Sequence, residues 1–220
     1  MRQQKKSEKS RAAILDAALT LFSHQGYRGT SIRDIAEKAG VSTGNVYHHF
    51  PDKETIFETL LSQYWKAIER PDFPFNRALA SGSFPDNLEK LAEAAEQSVR
   101  TYRPYVALIY VDVVELSGQH IRKFYSEMSG RFDAFIRSRV GEEMLAGRMR
   151  PGISPLSAVM LASRFFLHYF AVEILFGVPN QFGKDSRLAI REIAEILRHG
   201  MLRGAAHEQA PPARAALRRA

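Results

Sequence analysis

Between Thr43 and His49 the sequence TGNVYHH gathers hydrogen-bonding side chains onto a single short helix. With Val46 and Phe50 turned inward at helical spacing, Thr43, Gly44, Asn45, Tyr47, His48 and His49 stay on or near the outer side. Asn45 and Thr43 can hydrogen-bond base edges or phosphates, and Tyr47 and His49 offer donors suited to phosphate. Gly44 removes a side chain, so the backbone can come close to a partner. A plain solvated helix would carry Glu, Lys and Gln in these places. The chemistry this set supports is recognition of a charged, patterned edge. The blander alternative is an αα-corner whose Tyr and His are only half buried.

The residues just before this helix have the types needed to aim it. Ser31 can cap a helix on which Ile32, Ile35, Ala36 and Ala39 form one apolar face, and Asp34 can reach back to the amide of Ser31. Gly40 stands where a helix end favours the left-handed conformation, Val41 supplies the apolar contact of the turn, and Ser42 caps the next helix. Helix, glycine turn and second helix within about twenty residues make a helix-turn-helix, which lays its second helix in the DNA major groove.

Residues 11–60 resemble the DNA-binding domain of the TetR family of bacterial transcription regulators. The matching elements are IL-x-AAL-x-LF at 14–22, GY at 26–27, TS-x-x-DIA at 30–36, AGVS at 39–42, G-N-x-Y-x-HF at 44–50 and Lys53. Carried over by position, the resemblance makes Arg33, Thr43, Gly44, Asn45 and Tyr47 base-facing, and puts Thr30, His49 and Lys53 on phosphate. Ser31, Ser42 and His48 complete the expected DNA-facing set. The resemblance implies an all-α protein, with a three-helix DNA-binding domain at residues 1–51. A larger helical effector-binding and dimerisation domain follows at 52–203, and residues 204–220, rich in Ala, Pro and Arg, are expected to be a disordered tail.

Charge placement agrees with a DNA partner. The chain carries 31 Lys plus Arg against 24 Asp plus Glu, a net +7. Residues 1–53 hold nine basic and five acidic residues and residues 198–220 hold five and one, whereas 54–197 is close to neutral. A basic segment beside a groove-reading helix is the electrostatic footprint of a DNA binder; the basic C-terminal end is given no such role. With no cysteine, disulfides, thiolate metal sites and cysteine nucleophiles are excluded. The N-terminus lacks a signal-type apolar run, so a cytoplasmic, nucleoid-associated protein is expected.

The rest of the chain reads as helices. The first spans about Ser7 to His24, a fourth runs from Lys53 to about Glu69 behind Asp52 as cap, and the prolines at 71, 74 and 85 mark an irregular stretch. Asp86 is expected to cap a helix to Tyr102, and further helices run from Pro104 to Leu116 and from Gln119 to Ala146. The segment from Leu156 to Phe176 is apolar enough to suggest a membrane span, but Arg164, His168 and Glu173 interrupt it. At a bilayer centre Arg or an acidic residue costs about 2.5–3.5 kcal/mol, so a buried helix is favoured. It is too apolar all round for the surface of a monomer.

By resemblance this helix and the helix 186–201 build a four-helix bundle with a second subunit, with Phe165, Val172, Ile190, Ala194, Leu197 and Met201 at the interface. Between the two ends the resemblance implies an effector pocket. Tyr105, Ile109, Tyr110, Val113, Met128, Phe132, Phe135, Arg164, Phe166, His168 and Tyr169 are its candidate lining, and a small apolar or aromatic molecule its occupant. The expected function is a ligand-responsive regulator, a repressor in the family's commoner mode, that binds a palindromic operator as a homodimer. The alternatives are a helix-turn-helix protein without a ligand switch and an activator.

An enzyme is not expected, and neither cofactor nor metal. The sequence has no His-Glu-x-x-His, and GVPNQFGKD at 177–185 has the wrong glycine spacing and the wrong final residue for a phosphate loop. His48 and His49, adjacent on a helix, diverge by about 100° and cannot readily share a metal.

Overall fold

The computed structural model describes residues 2–81, 84–137 and 147–201, excepting the side chains of residues 2, 3 and 135. The expected tail at 204–220, the end of the helix expected to reach Ala146, and the Phe135 side chain lie outside the described residues. The protein is all-α: a helix-turn-helix unit followed by a larger helical body, with no strand among the described residues.

Helix α1 (Arg2–Gln25) turns Ile14, Ala18 and Phe22 inward and is longer than its sequence pattern suggests by several polar residues at its start. Helix α2 (Ile32–Ala39) begins with a complete capping box. Ser31 Oγ accepts from the Asp34 amide, and the Asp34 carboxylate accepts from the Ser31 amide at 2.8 Å. Donation from the Ser31 hydroxyl at 2.7 Å, and then from the Ser31 amide, holds the Asp34 carboxyl below its usual range. Gly40 adopts φ 66, and its amide closes the helix end, so the left-handed residue demanded by the turn is in place. Helix α3 (Thr43–His49) is capped by Ser42, and Val46 and Phe50 are fully buried beneath it.

Helix α4 (Lys53–Glu69) starts behind Asp52, whose carboxylate accepts from the Thr55 amide at 2.7 Å. Its Ile56, Phe57, Leu60 and Leu61 complete the core of the first three helices, joined by Leu108 from further along the chain. Packing therefore continues across the 51/52 boundary.

Helix α5 (Pro74–Leu79) replaces the irregular stretch expected there. Pro74 occupies the first turn, where a missing N–H costs nothing, and so starts a helix where it was taken to prevent one. Helix α6 (Leu88–Thr101) begins two residues beyond Asp86, which is not its cap and instead pairs with Arg148 at 2.5 Å. Helices α7 (Arg103–Glu115) and α8 (Gln119–Phe135) meet at a turn through Ser117 and Gly118, both with positive φ.

Helix α9 (Pro155–Ile174) is the apolar one. It lies along α6 with Val159, Ala162, Phe166 and Phe170 in the core, and half of its most apolar window is buried within the chain. Helix α10 (Ser186–Met201) covers the other side of α6. The second core gathers α5, α6, α9 and α10, and α4 and α7 bridge it to the first.

Candidate nucleic-acid interface

The outer surface of α2 and α3 carries most of the expected contacts. Arg33, Thr43, Gly44, Tyr47 and His48 are exposed, and Tyr47 keeps 56% of its surface in solvent despite its aromatic ring. A Cβ added at Gly44 would meet only Ser42 Oγ, at 3.9 Å, so nothing inside the protein requires glycine there. The open backbone is useful only to something that approaches from outside. Ser31 and Ser42 are exposed, but their hydroxyls serve as caps, with Ser42 Oγ accepting from the Asn45 amide at 3.2 Å. Asn45 is half-buried, and its Oδ1 is shielded without a donor, so it can offer a base at most its NH2 group.

His49 is half-buried against His48, their rings 5.2 Å apart. Burial first, then the neighbouring charges of His48 and Arg11, push its imidazole below the ordinary value. At neutral pH it therefore presents an N–H donor rather than a charge. Arg11 lies over the Phe50 ring at 4.9 Å and ties α1 to the end of α3.

Two expected phosphate contacts are corrected. Thr30 is buried, its hydroxyl donating to the Gly26 carbonyl at 2.8 Å. Lys53 turns back into the protein: Nζ donates to the carbonyls of Tyr27 and Thr30, both at 2.8 Å, and lies 4.2 Å from the centre of the Tyr27 ring. A cation in the first turn of a helix faces the positive end of the helix dipole, and these two carbonyls offset that. Burial lowers the Lys53 pKa, while the Glu115 carboxylate works in the opposite direction. Lys53 thus fastens the α1–α2 turn to the start of α4. Lys53→Met should lower stability by about 1–2 kcal/mol in a urea melt and leave the salt slope of DNA binding unchanged; a shallower slope would restore the phosphate role.

Behind this surface a cavity of about 600 Å³ opens between α4, α5, α7, α8 and α9. Of the expected lining residues, Ile109, Tyr110, Met128, Phe132, Arg164 and His168 are there. Four are not. Tyr105 stacks on Tyr64 and borders a smaller hollow between α1 and α4, and Val113 sits 53% exposed on the outer side of α7. Phe166 is fully buried in the second core, and Tyr169 packs there against Phe182 on the outer flank of α9. The walls that the sequence did not indicate come from α4 and α5: Tyr64, Trp65, Ile68, Phe73 and Phe75. Trp65, the single tryptophan, stacks on Phe124 with ring centres 3.9 Å apart.

The expected dimer residues divide in the same way. Ile190, Ala194 and Met201 turn into the chain's own core, with Ala194 fully buried, which corrects their assignment to an interface. Phe165, Val172 and Leu197 are half-exposed. The large apolar side chains that α10 leaves in solvent are Leu188 and Ile196, the latter 70% exposed, and α9 adds Leu161.

A helix-turn-helix capped by its own serines, with an open glycine on its second helix and a basic N-terminal helix beside it, has the features of a DNA-reading surface. A family profile described as bacterial regulatory proteins of the tetR family matches residues 14–60. The transcriptional repressor KstR2 of Rhodococcus jostii is 30% identical over 123 residues, 56% of this chain and 59% of that protein. The transcriptional regulator AcrR of Shigella flexneri is 44% identical over 63 residues, 29% of this chain and 27% of that protein. The chain thus aligns with only 59% and 27% of the length of these curated relatives. In fold it is similar to NalD of Pseudomonas aeruginosa, the secondary repressor of the MexAB-OprM multidrug efflux pump. That likeness has a TM-score of 0.60 and 23% identity, and covers 90% of this chain and 98% of that one. Residues 14–60 thus match the DNA-binding domain of the tetR family, and the larger helical body shares the fold of NalD.

Proposed function

We propose that the protein represses transcription by binding a palindromic operator as a homodimer, and that a small, largely apolar effector in the cavity releases it. In this reading residues 1–51 contact DNA and residues 52–203 bind the effector and dimerise. The observation that carries the switch is the double duty of α4. Ile56, Phe57, Leu60 and Leu61 belong to the core beneath the recognition helix, and two turns on Tyr64, Trp65 and Ile68 form a wall of the cavity. An effector that fits better when this wall has moved shifts the helix on which α2 and α3 rest, and coupling follows without contact between effector and DNA.

The dimer is supported by the apolar side chains left in solvent on the last two helices, Leu161, Leu188 and Ile196. Two-fold symmetry would present two copies of α3 to half-sites on one face of a duplex. The relatives' designation as repressors supports the direction of regulation.

The test is selection of bound duplexes from a random pool, repeated with Arg33→Ala and Asn45→Ala. Wild type should recover a palindrome, and each variant should relax the preference at one symmetric pair of positions by about 1–3 kcal/mol. The double variant Leu188→Glu/Ile196→Glu should sediment as a monomer and lose the palindrome. Recovery of non-palindromic sites by wild type, or a dimer surviving the double variant, would count against this reading.

A further inference from the structure

We infer that the effector carries a single anionic head on an apolar body, with Arg164 of α9 as the group that receives the anion; this rests on the cavity being the effector site. Four of the cavity's lining side chains are ionisable to a charged form near neutral pH: Glu69, Arg131, Arg164 and His168. Glu69 and Arg131 neutralise one another in an ion pair, and Arg131 is held further by Glu127 at 2.6 Å. Arg164 has no such partner. Among the described residues no carboxylate lies within ion-pair distance of its guanidinium, whose contacts are the Met128 sulfur at 4.0 Å and the Tyr125 ring at 5.8 Å. His168 lies one helical turn on, lining the same cavity.

The remaining wall is mostly aromatic and aliphatic, so the site combines an apolar body with one solvent-exposed cation at its rim that has no carboxylate partner among the described residues. Guanidinium presents two parallel N–H donors that match a carboxylate. A neutral ligand would gain nothing from that charge, and a cationic one would be repelled by it. The rim also borders the outer groove along Leu161, Phe165 and Phe182, so the competing possibility is that a carboxylate from a second copy pairs with Arg164.

Trp65 supplies the readout, since the only tryptophan lines the cavity. The full chain is titrated with dodecanoate, dodecan-1-ol and dodecyltrimethylammonium at equal chain length, and Trp65 emission is followed. Dodecanoate should bind about two- to fivefold more tightly than the alcohol, the range for an exposed ion pair, with the ammonium weakest. The preference should shrink with added salt, disappear in Arg164→Gln and persist in part in Arg164→Lys. Circular dichroism of each variant confirms folding, and the lysine variant carries the test if the glutamine variant does not fold. Equal binding of acid and alcohol, or an acid preference surviving Arg164→Gln, overturns the inference. Loss of the dimer in Arg164→Gln with no change in probe selectivity overturns it in favour of pairing between copies. Binding of the alcohol alone overturns the anionic head but leaves the cavity as the effector site, whereas a silent Trp65 toward all three probes contradicts both.

Discussion

Truncating Phe57 to alanine should cost about 3–5 kcal/mol of stability, the usual range for deleting a fully buried aromatic ring. Phe57 has no exposed surface and meets Phe22 and Tyr27 edge-on, each at 5.4 Å between ring centres. Its ring also lies 5.7 Å from that of His120, so one side chain joins α1, α4 and the start of α8. The DNA-binding unit is small, and its core depends on α4, so this loss falls on the part that orients α3. Urea melts should show the lower stability, and duplex binding should fail at temperatures where the wild type is still folded. A stability change below about 1 kcal/mol would mean that the ring is not the keystone its burial implies.

The second large effect is expected at Asp112, a carboxylate with no exposed surface. It accepts from the Ile121 amide at 3.0 Å and holds His120 Nδ1 at 2.7 Å, while Gln119 reaches across to Glu54 at 2.6 Å on the first turn of α4. Beside it, Glu115 accepts from the Arg28 amide at 2.6 Å. Gly26 is required there, because it has φ 80 and a Cβ would collide with the Glu115 carboxylate. The α7–α8 turn therefore grips both the α1–α2 turn and the start of α4.

Asp112→Ala leaves a buried amide and an imidazole without a partner, at about 2–4 kcal/mol together. The milder Asp112→Asn should keep the fold and loosen the grip. The factor by which an effector weakens duplex binding, typically 5- to 150-fold in such systems, should fall toward one, while each ligand's separate affinity changes little. An unchanged coupling factor in Asp112→Asn would remove this turn from the account.

The residues that were legible in sequence are those whose neighbours in the chain decide their role. Ser31, Asp34, Gly40 and Ser42 act within four residues of themselves, so spacing alone revealed both caps and the turn. Val46 and Phe50 followed from helical period. Lys53 and Thr30 were misplaced because their partners are backbone carbonyls brought together by the fold, which no local pattern announces. In α10 the apolar period was read correctly, but period alone cannot say which subunit's core a stripe enters. Ile190 and Ala194 enter their own, while Leu188 and Ile196 stay exposed. The cavity was half visible: aromatics on α7 to α9 suggested it, whereas Trp65 and Phe75 reach it only through the path of α4 and the unforeseen α5.

The most direct measurement is equilibrium binding to the selected palindromic duplex, by fluorescence anisotropy, over a series of salt concentrations. The account predicts that log K falls linearly with log salt, by about 10³–10⁵ between 50 and 200 mM if six to ten phosphates are contacted, and that Tyr47→Ala weakens binding without changing the fold. Salt-independent binding, or full affinity in Tyr47→Ala together with Arg33→Ala and Asn45→Ala, would contradict the claim that α2 and α3 are the DNA-reading surface.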